Sequence, residues 1–242
     1  MKSILITGAS SGIGAATALL YAQNGFNVFA GGRNKERLAA LALQHENIIT
    51  FSCDLTSKES IKQASISFPS FDIILLNAGD CEYIEDPLNF DGDLFARVLT
   101  NNVISIGYCL DAWLTLIKPN GQLALTSSSV SFLPLPRAEA YGASKAAISY
   151  LAKTLAIDLQ PHQISVSLIH PGFVQTQLTN KNTFAMPSII TADKAADYIF
   201  KGLSQFKTEI NFPKRFTYSL KALSLLPFFI WKYLASKMIK GQ

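Results

Sequence analysis

Two hydrophobic periods alternate along this chain. Short apolar runs bounded by Gly, Asn or Ser are followed by longer stretches in which apolar positions recur every three or four residues, so strands and helices take turns. The short runs are SILIT (3–7), NVFAGG (27–32), NIITFSC (47–53), FDIILLNAG (71–79), GQLALTSSS (121–129), QISVSLIHPG (163–172) and TEINFP (208–213). Between them, Ala15 to Asn24 reads as a helix ended by Gly25, and Lys35 to Gln44 as a charged helix. A third helix follows Leu55, with Thr56 as N-cap and Glu59 three residues on, a capping box. Asp91 to Lys118 reads as one long helix, apolar at Phe95, Val98, Leu99, Val103 and Ile106. After Arg137 comes an Ala-rich helix whose stripe includes Ile148, Leu151 and Leu155, with Pro161 shortly after its end. Thr191 to Phe206 is a capped amphipathic helix. This alternation predicts an α/β fold, a doubly wound parallel seven-stranded sheet with helices on both faces. The fourth run is almost wholly apolar, as a central parallel strand buried on both faces must be.

The chemistry-bearing residues fall where strands end. SILIT runs straight into GASSGIG and then a helix, and a Gly-rich turn in that position brings backbone N–H groups and the helix's positive end up to a phosphate. Gly8, Ser10, Ser11, Gly12, Ile13 and Gly14 are therefore candidate dinucleotide contacts. At the end of the second strand an acidic residue would accept from the 2′-hydroxyl of NAD, and a basic one would meet the 2′-phosphate of NADP. This chain has Gly31, Gly32 and Arg33, with no carboxylate until Glu36, which selects NADP. Asp54, beside Leu55, could accept from an adenine amino group or cap a loop. Asn77, Ala78 and Gly79 end the fourth strand with small residues that let backbone approach a cofactor.

Tyr141 and Lys145 are four apart on the Ala-rich helix and share a face. An ammonium beside a phenol favours the phenolate, lowering a pKa of roughly 10, and a Tyr so tuned can move protons near neutral pH. On the residues alone, a plain surface pair is the alternative. Asn101 and Asn102 sit in the middle of the long helix, where their helix propensity is poor. Asn102 lies close in angle to Phe95, Val98 and Leu99, which predicts burial for it and exposure for Asn101.

Composition narrows the field. With 49% hydrophobic and 16% charged residues in 242, and a mean hydropathy of +0.23, the chain is ordered and apolar enough to bury a full sheet. The net charge of +4 is not gathered on one face of the first 200 residues, which argues against nucleic acid. Cys53, Cys81 and Cys109 are odd in number and scattered, which argues against a disulfide framework or a metal site and for a cytoplasmic compartment. The N-terminal apolar run stops after Ile6, too soon for a signal peptide. Residues 1–213 read as one binding and catalytic domain and 214–242 as its basic, apolar C-terminal extension. The uncharged run Ala222 to Trp231 is too short to span a bilayer, and Pro227 interrupts it. Two readings of the extension stay open: an amphipathic anchor on the inner face of a membrane, or a helix covering the substrate cleft or a subunit interface. Either favours an apolar small-molecule substrate.

Taken together, Thr7-Gly8-x-x-x-Gly12-Ile13-Gly14, Asp54, Asn77-Ala78-Gly79, Asn102, Ser128, Tyr141-x-x-x-Lys145 and Pro171-Gly172 with Thr176 occur in the order and at the distances of one family. The chain resembles the short-chain dehydrogenases/reductases of the compact, single-domain, Rossmann-like kind. The resemblance implies a hydride transfer between nicotinamide and a carbonyl or secondary alcohol, with NADP(H) favoured and NAD(H) the alternative. It implies Tyr141 as proton donor and acceptor, and Lys145 as the residue that binds the nicotinamide ribose and lowers the Tyr141 pKa. Ser128 would hold the reacting oxygen and Asn102 a proton-relay water. Ser128 stands thirteen residues before Tyr141, the family's separation, with Ser127 and Ser129 as fallbacks. Pro171, Gly172, Val174 and Thr176 would contact the cofactor, and His170 would be structural. Thr179 to Ser188 reads as a lid. The family often forms homo-dimers and homo-tetramers through its long helices. Departures are Ser11 before Gly12, where a base is frequent in NADP users, Ser105 in place of a Gly, and Leu76 before Asn77. A non-catalytic NADPH-binding sensor is the rival reading.

Overall fold

The central apolar runs become strands because each can bury both of its faces, while the edge strand 48–52 stays partly exposed. The computed structural model describes residues 1–181 and 186–240. In chain order its elements are β1 (Ser3–Thr7), α1 (Gly12–Gln23), β2 (Asn27–Gly32), α2 (Lys35–Ala42), β3 (Ile48–Ser52), α3 (Lys58–Ala64), β4 (Phe71–Leu76), α4 (Gly92–Leu99), α5 (Ser105–Trp113), β5 (Ile117–Thr126), α6 (Glu139–Asp158), β6 (Ser165–Pro171), β7 (Val174–Gln175), β8 (Ile190–Thr191), α7 (Ala192–Ser204), β9 (Glu209–Phe212), α8 (Lys214–Leu223) and α9 (Phe228–Lys240). Seven strands form one parallel sheet in the order β3-β2-β1-β4-β5-β6-β9. The doubly wound fold expected from the sequence is the one observed.

The two-residue period of a strand sorts its side chains into two cores. Ile4, Ile6, Leu75, Ala124 and Ile169 face α1 and α7, where Ala18, Tyr21 and Ile199 meet them. Their neighbours Leu5, Ile74, Leu76, Leu123, Leu125 and Leu168 face the other way, onto Ile61, Ile106, Trp113 and Ile148 of α3, α5 and α6. Each such side chain contributes roughly 1.5–3 kcal/mol when fully buried. The strand order reverses between β1 and β4, and a crevice opens at their carboxyl ends, the place where such sheets bind ligands.

Three local expectations differ from the structure. The stretch 91–118 is not one helix: α4 gives way to a π turn at Thr100–Ile104 before α5, and β5 already begins at Ile117. Asn102 sits in that turn, and its side chain is bonded across to Asp80 and Ser144, the kind of functional-site interruption such turns mark. The cap of α3 is Ser57, whose hydroxyl accepts from the Ser60 amide at 3.1 Å, because Asp54 holds Thr56 instead. The segment after Pro171 adds a two-stranded parallel ribbon, Val174–Gln175 with Ile190–Thr191. The predicted lid falls partly on residues 182–185, outside the described residues; its first residues, Thr179–Lys181, form a 3₁₀ turn.

Candidate active site

A cleft of about 490 Å³ runs along the strand ends. It is lined by Gly8, Ser10, Ser11, Gly12, Ile13, Arg33, Asp54, Leu55, Asn77, Ala78, Gly79, Ser128, Tyr141, Lys145, Pro171, Gly172, Val174 and Thr176, so the sequence-predicted site residues come together there. Of the predicted set, Gly14 and Asn102 stand behind the wall.

The phosphate turn is built by exclusion of side chains. Gly8 and Gly12 have φ of 67° and 56°, a region that favours glycine. A Cβ on Gly8 would lie 2.8 Å from the Ala78 Cα, and one on Gly14 2.3 Å from the Gly8 carbonyl oxygen. Thr7 fastens the two halves of the sheet: its Oγ1 accepts from the amides of Asn77 and Ala78 at 2.9 and 3.0 Å. Ser11 caps α1 in extended geometry without a side-chain bond, whereas Asn34, Ser57, Asp91 and Thr191 each cap their own helices through the side chain. The first amides of α1 are thus left to a ligand, which suits a dinucleotide's phosphates.

At the adenosine end, Asp54 takes the loop-capping role left open by the sequence. Its Oδ1 accepts from the amide and the hydroxyl of Thr56 at 3.0 and 2.8 Å. Those bonds, amide first, and then the Arg33 guanidinium hold its carboxyl below the usual range. Arg37 also lines this end and donates to Gln177. Sequence reasoning missed Arg37, although its place four residues after Arg33 was a readable signal.

At the other end, Lys145 is buried, and its Nζ donates to the Thr126 carbonyl at 3.0 Å while standing 5.7 Å from the Tyr141 ring centre. Tyr141 and Ser128 line the same end of the cleft, and the Ser128 hydroxyl favours the Tyr141 phenolate. The fallback Ser127 is occupied elsewhere, donating to the Lys145 carbonyl at 2.8 Å and meeting Ser149. Asn102 is fully buried: its amide donates to the Asp80 carbonyl and Ser144 Oγ, and its Oδ1 accepts from the Asp80 amide at 2.7 Å. Asn101 is partly exposed and lines the cleft. Gly79 leaves open the space between Lys145 and Asn102, since a Cβ there would lie 3.1 Å from Nζ and 3.2 Å from Oδ1.

The electrostatics correct one expectation. Burial, followed by the Cys81 thiol, raises the Tyr141 pKa, and the Ser128 hydroxyl only partly offsets this. Burial also pushes Lys145 down, to about 8. Desolvation disfavours both charged forms and dominates both shifts, so Tyr141 is a neutral phenol at pH 7. Cys81 and Tyr83 are bonded to one another beside this site, with burial lifting the Cys81 thiol to about 11. Nothing in the aperiodic stretch after Gly79 pointed to them. His170 is buried, its Nδ1 3.1 Å from the Ser128 carbonyl and its ring against Phe132, and burial lowers its pKa to about 4. It supports the Ser128 loop from behind, in the structural place expected of it.

The family model for short chain dehydrogenases matches residues 2–186, which include every residue of this crevice. An uncharacterised oxidoreductase of Myxococcus xanthus is 29% identical over 236 residues, 93% of each chain. A 3β-hydroxysteroid dehydrogenase of Mediterraneibacter gnavus is 32% identical over 191 residues, 75% of this chain and 69% of its own. The solved alcohol dehydrogenase of the archaeon Thermococcus sibiricus, complexed with 5-hydroxy-NADP, is similar with a TM-score of 0.77 at 26% identity, covering 87% of this chain and 95% of that one. The phosphate turn, the Ser-Tyr-Lys cluster and these matches agree: the chain belongs to the short-chain dehydrogenase family of oxidoreductases.

Proposed function

We propose that this chain is an NADP(H)-dependent oxidoreductase that interconverts a carbonyl and a secondary alcohol, with Tyr141 as general acid and base. The observation that carries the reading is the placement of Ser128, Tyr141 and buried Lys145 together in one cleft with the uncapped N-terminus of α1. The bound nicotinamide supplies or accepts the hydride. Tyr141 gives its proton to the substrate oxygen in reduction and takes it back in oxidation. Ser128 donates to the same oxygen, stabilising the charge that develops there. Lys145, steered by Thr126, binds the nicotinamide ribose hydroxyls. Asn102 keeps one Oδ1 lone pair for a water in the space that Gly79 leaves, a route for returning protons to Lys145.

Arg33 supports NADP over NAD, and Arg37 adds a second cation at the same end of the cleft. In this reading residues 1–213 are the catalytic unit and 214–242 an extension beside its substrate side: the Phe216 ring lies against Gly172, which lines the cleft, and is tilted on Phe173 with ring centres 5.5 Å apart. Those apolar rings, and the steroid-acting relative, favour an apolar substrate. Exposed Ile104 beside α5 and exposed Tyr150 and Ile157 on α6 support homo-dimers or homo-tetramers paired through these helices. Three free cysteines fit a reducing, cytoplasmic setting.

A panel of ketones and aldehydes followed at the NADPH absorbance band tests the reading. Consumption of NADPH with at least one apolar carbonyl, faster than with NADH, is expected. NADPH binding without turnover of any carbonyl would overturn the catalytic reading in favour of a sensor.

A further inference from the structure

The last two helices have an inner face that the fold accounts for and an outer face that it does not. On the inner side, Leu220 and Trp231 are buried against Leu133, with Phe216, Leu223 and Ala235 packed around them. Trp231 Nε1 donates to the Pro134 carbonyl at 2.8 Å, which fixes how α9 is rotated. On the outer side, Leu225, Phe228, Phe229 and Tyr233 are 85%, 65%, 72% and 62% exposed. Phe229 and Tyr233 are one turn apart on one face of α9, with Leu225 and Phe228 at its N-terminal end. So many large apolar side chains laid bare within nine positions mark an interaction surface rather than ordinary scatter.

Charge identifies the occupant. After Pro213 the chain has six Lys and Arg and no Asp or Glu, while the whole chain is only +4, so everything before Lys214 is net −2. Among the described residues, Lys221 is the tail cation with a carboxylate partner, Glu209. Lys214, Arg215, Lys232 and Lys237 are exposed, and Lys237 Nζ lies 4.5 Å over the Tyr233 ring. Aromatic and aliphatic side chains rimmed by lysines match the boundary between headgroups and acyl chains, where the apolar face sinks in and the cations meet lipid phosphates. A second copy of this surface would bring like charges together, and a polynucleotide would leave the Phe and Leu side chains unmatched. No helix among the described residues is long and apolar enough to cross a membrane.

We propose that the outer face of α9, with Leu225, docks this protein peripherally on an anionic lipid bilayer. The docked helix is the one pinned to Pro134, in the segment between Ser128 and Tyr141, so the substrate side of the cleft lies close to the lipid. The proposal goes beyond the catalytic reading, and its test needs no turnover.

The test is co-sedimentation of the full chain with vesicles of phosphatidylcholine alone or mixed with phosphatidylglycerol. Binding to the anionic vesicles at about 0.1 M salt, lost at about 1 M where screening is nearly complete, is expected. Lys232→Gln and Lys237→Gln should each weaken partitioning about fivefold. Phe229→Ser with Tyr233→Ser should abolish it while leaving the melting temperature and NADPH binding unchanged, since both side chains are exposed. Wild-type protein that stays in the supernatant with anionic vesicles would overturn the proposal. So would variants that bind as the wild type does, or a wild-type dimer that Phe229→Ser splits into monomers, which would assign the face to a second copy.

Discussion

The crevice between β1 and β4 and the tail formed by α8 and α9 are both rich in special residues, yet they are built on opposite terms. In the crevice the polar groups are held by named partners at fixed distances: Thr7 on two amides, Asn102 on Asp80 and Ser144, Lys145 on Thr126. In the tail, Trp231 to Pro134 ties the end of the chain to the rest, and Leu225, Phe228, Phe229 and Tyr233 face outward, exposed. Chemistry demands fixed atoms, because a buried polar group without its partner costs about 1–3 kcal/mol. Adhesion to a soft surface demands only area and charge. Substitutions in the crevice should therefore act one atom at a time, and those in the tail by sum.

The largest break comes from Gly14→Val. Its side chain would be driven into the Gly8 carbonyl, so the phosphate turn cannot close and NADPH binding, read by fluorescence, should vanish. Vesicle binding should survive if the variant folds. Arg33→Asp comes next: exchanging a cation for an anion beside the 2′-phosphate should lower preference for NADPH over NADH about tenfold to hundredfold, read from kcat/KM. Unchanged preference would shift the 2′-phosphate to Arg37. The pH profile follows. Reduction needs protonated Tyr141 and charged Lys145, and both conditions hold below pH about 8, so its rate should be level near neutrality and fall above that value. Oxidation needs deprotonated Tyr141, whose pKa is raised, and charged Lys145, so it should climb about tenfold per pH unit up to about 8 and level off above, where Lys145 loses its proton. The smallest effect is Trp231→Phe, which keeps the ring packing and loses the bond to Pro134, for about 1 kcal/mol in denaturant unfolding and no change in kcat.

The same contrast decided what could be read from sequence. Strands and helices were legible because burial on both faces makes β1 an unbroken apolar run, and burial of one face imposes helical spacing on Ile148 and Ala152. The phosphate turn was legible because only glycine fits beside Ala78 and at positive φ. The π turn at Asn102 was not, since the side chain it presents is bonded to Ser144, 42 positions away, which no local pattern shows. Cys81 and Tyr83 reach Tyr141 through a stretch without periodicity, and no local pattern announces them. The Tyr141 pKa was misjudged for a related reason: spacing reveals the neighbouring ammonium but not the burial that outweighs it. The tail's two helices around Pro227 were visible only as composition, although composition was enough to mark its charge.

The most direct test is Tyr141→Phe, which removes one hydroxyl from a site whose other contacts stay in place. Single-turnover oxidation of NADPH, with a carbonyl that the wild type reduces, isolates the chemical step. A loss of about 10²–10⁴-fold in that step is expected, with NADPH affinity unchanged. Turnover at the wild-type rate would contradict this and remove Tyr141 from the reaction.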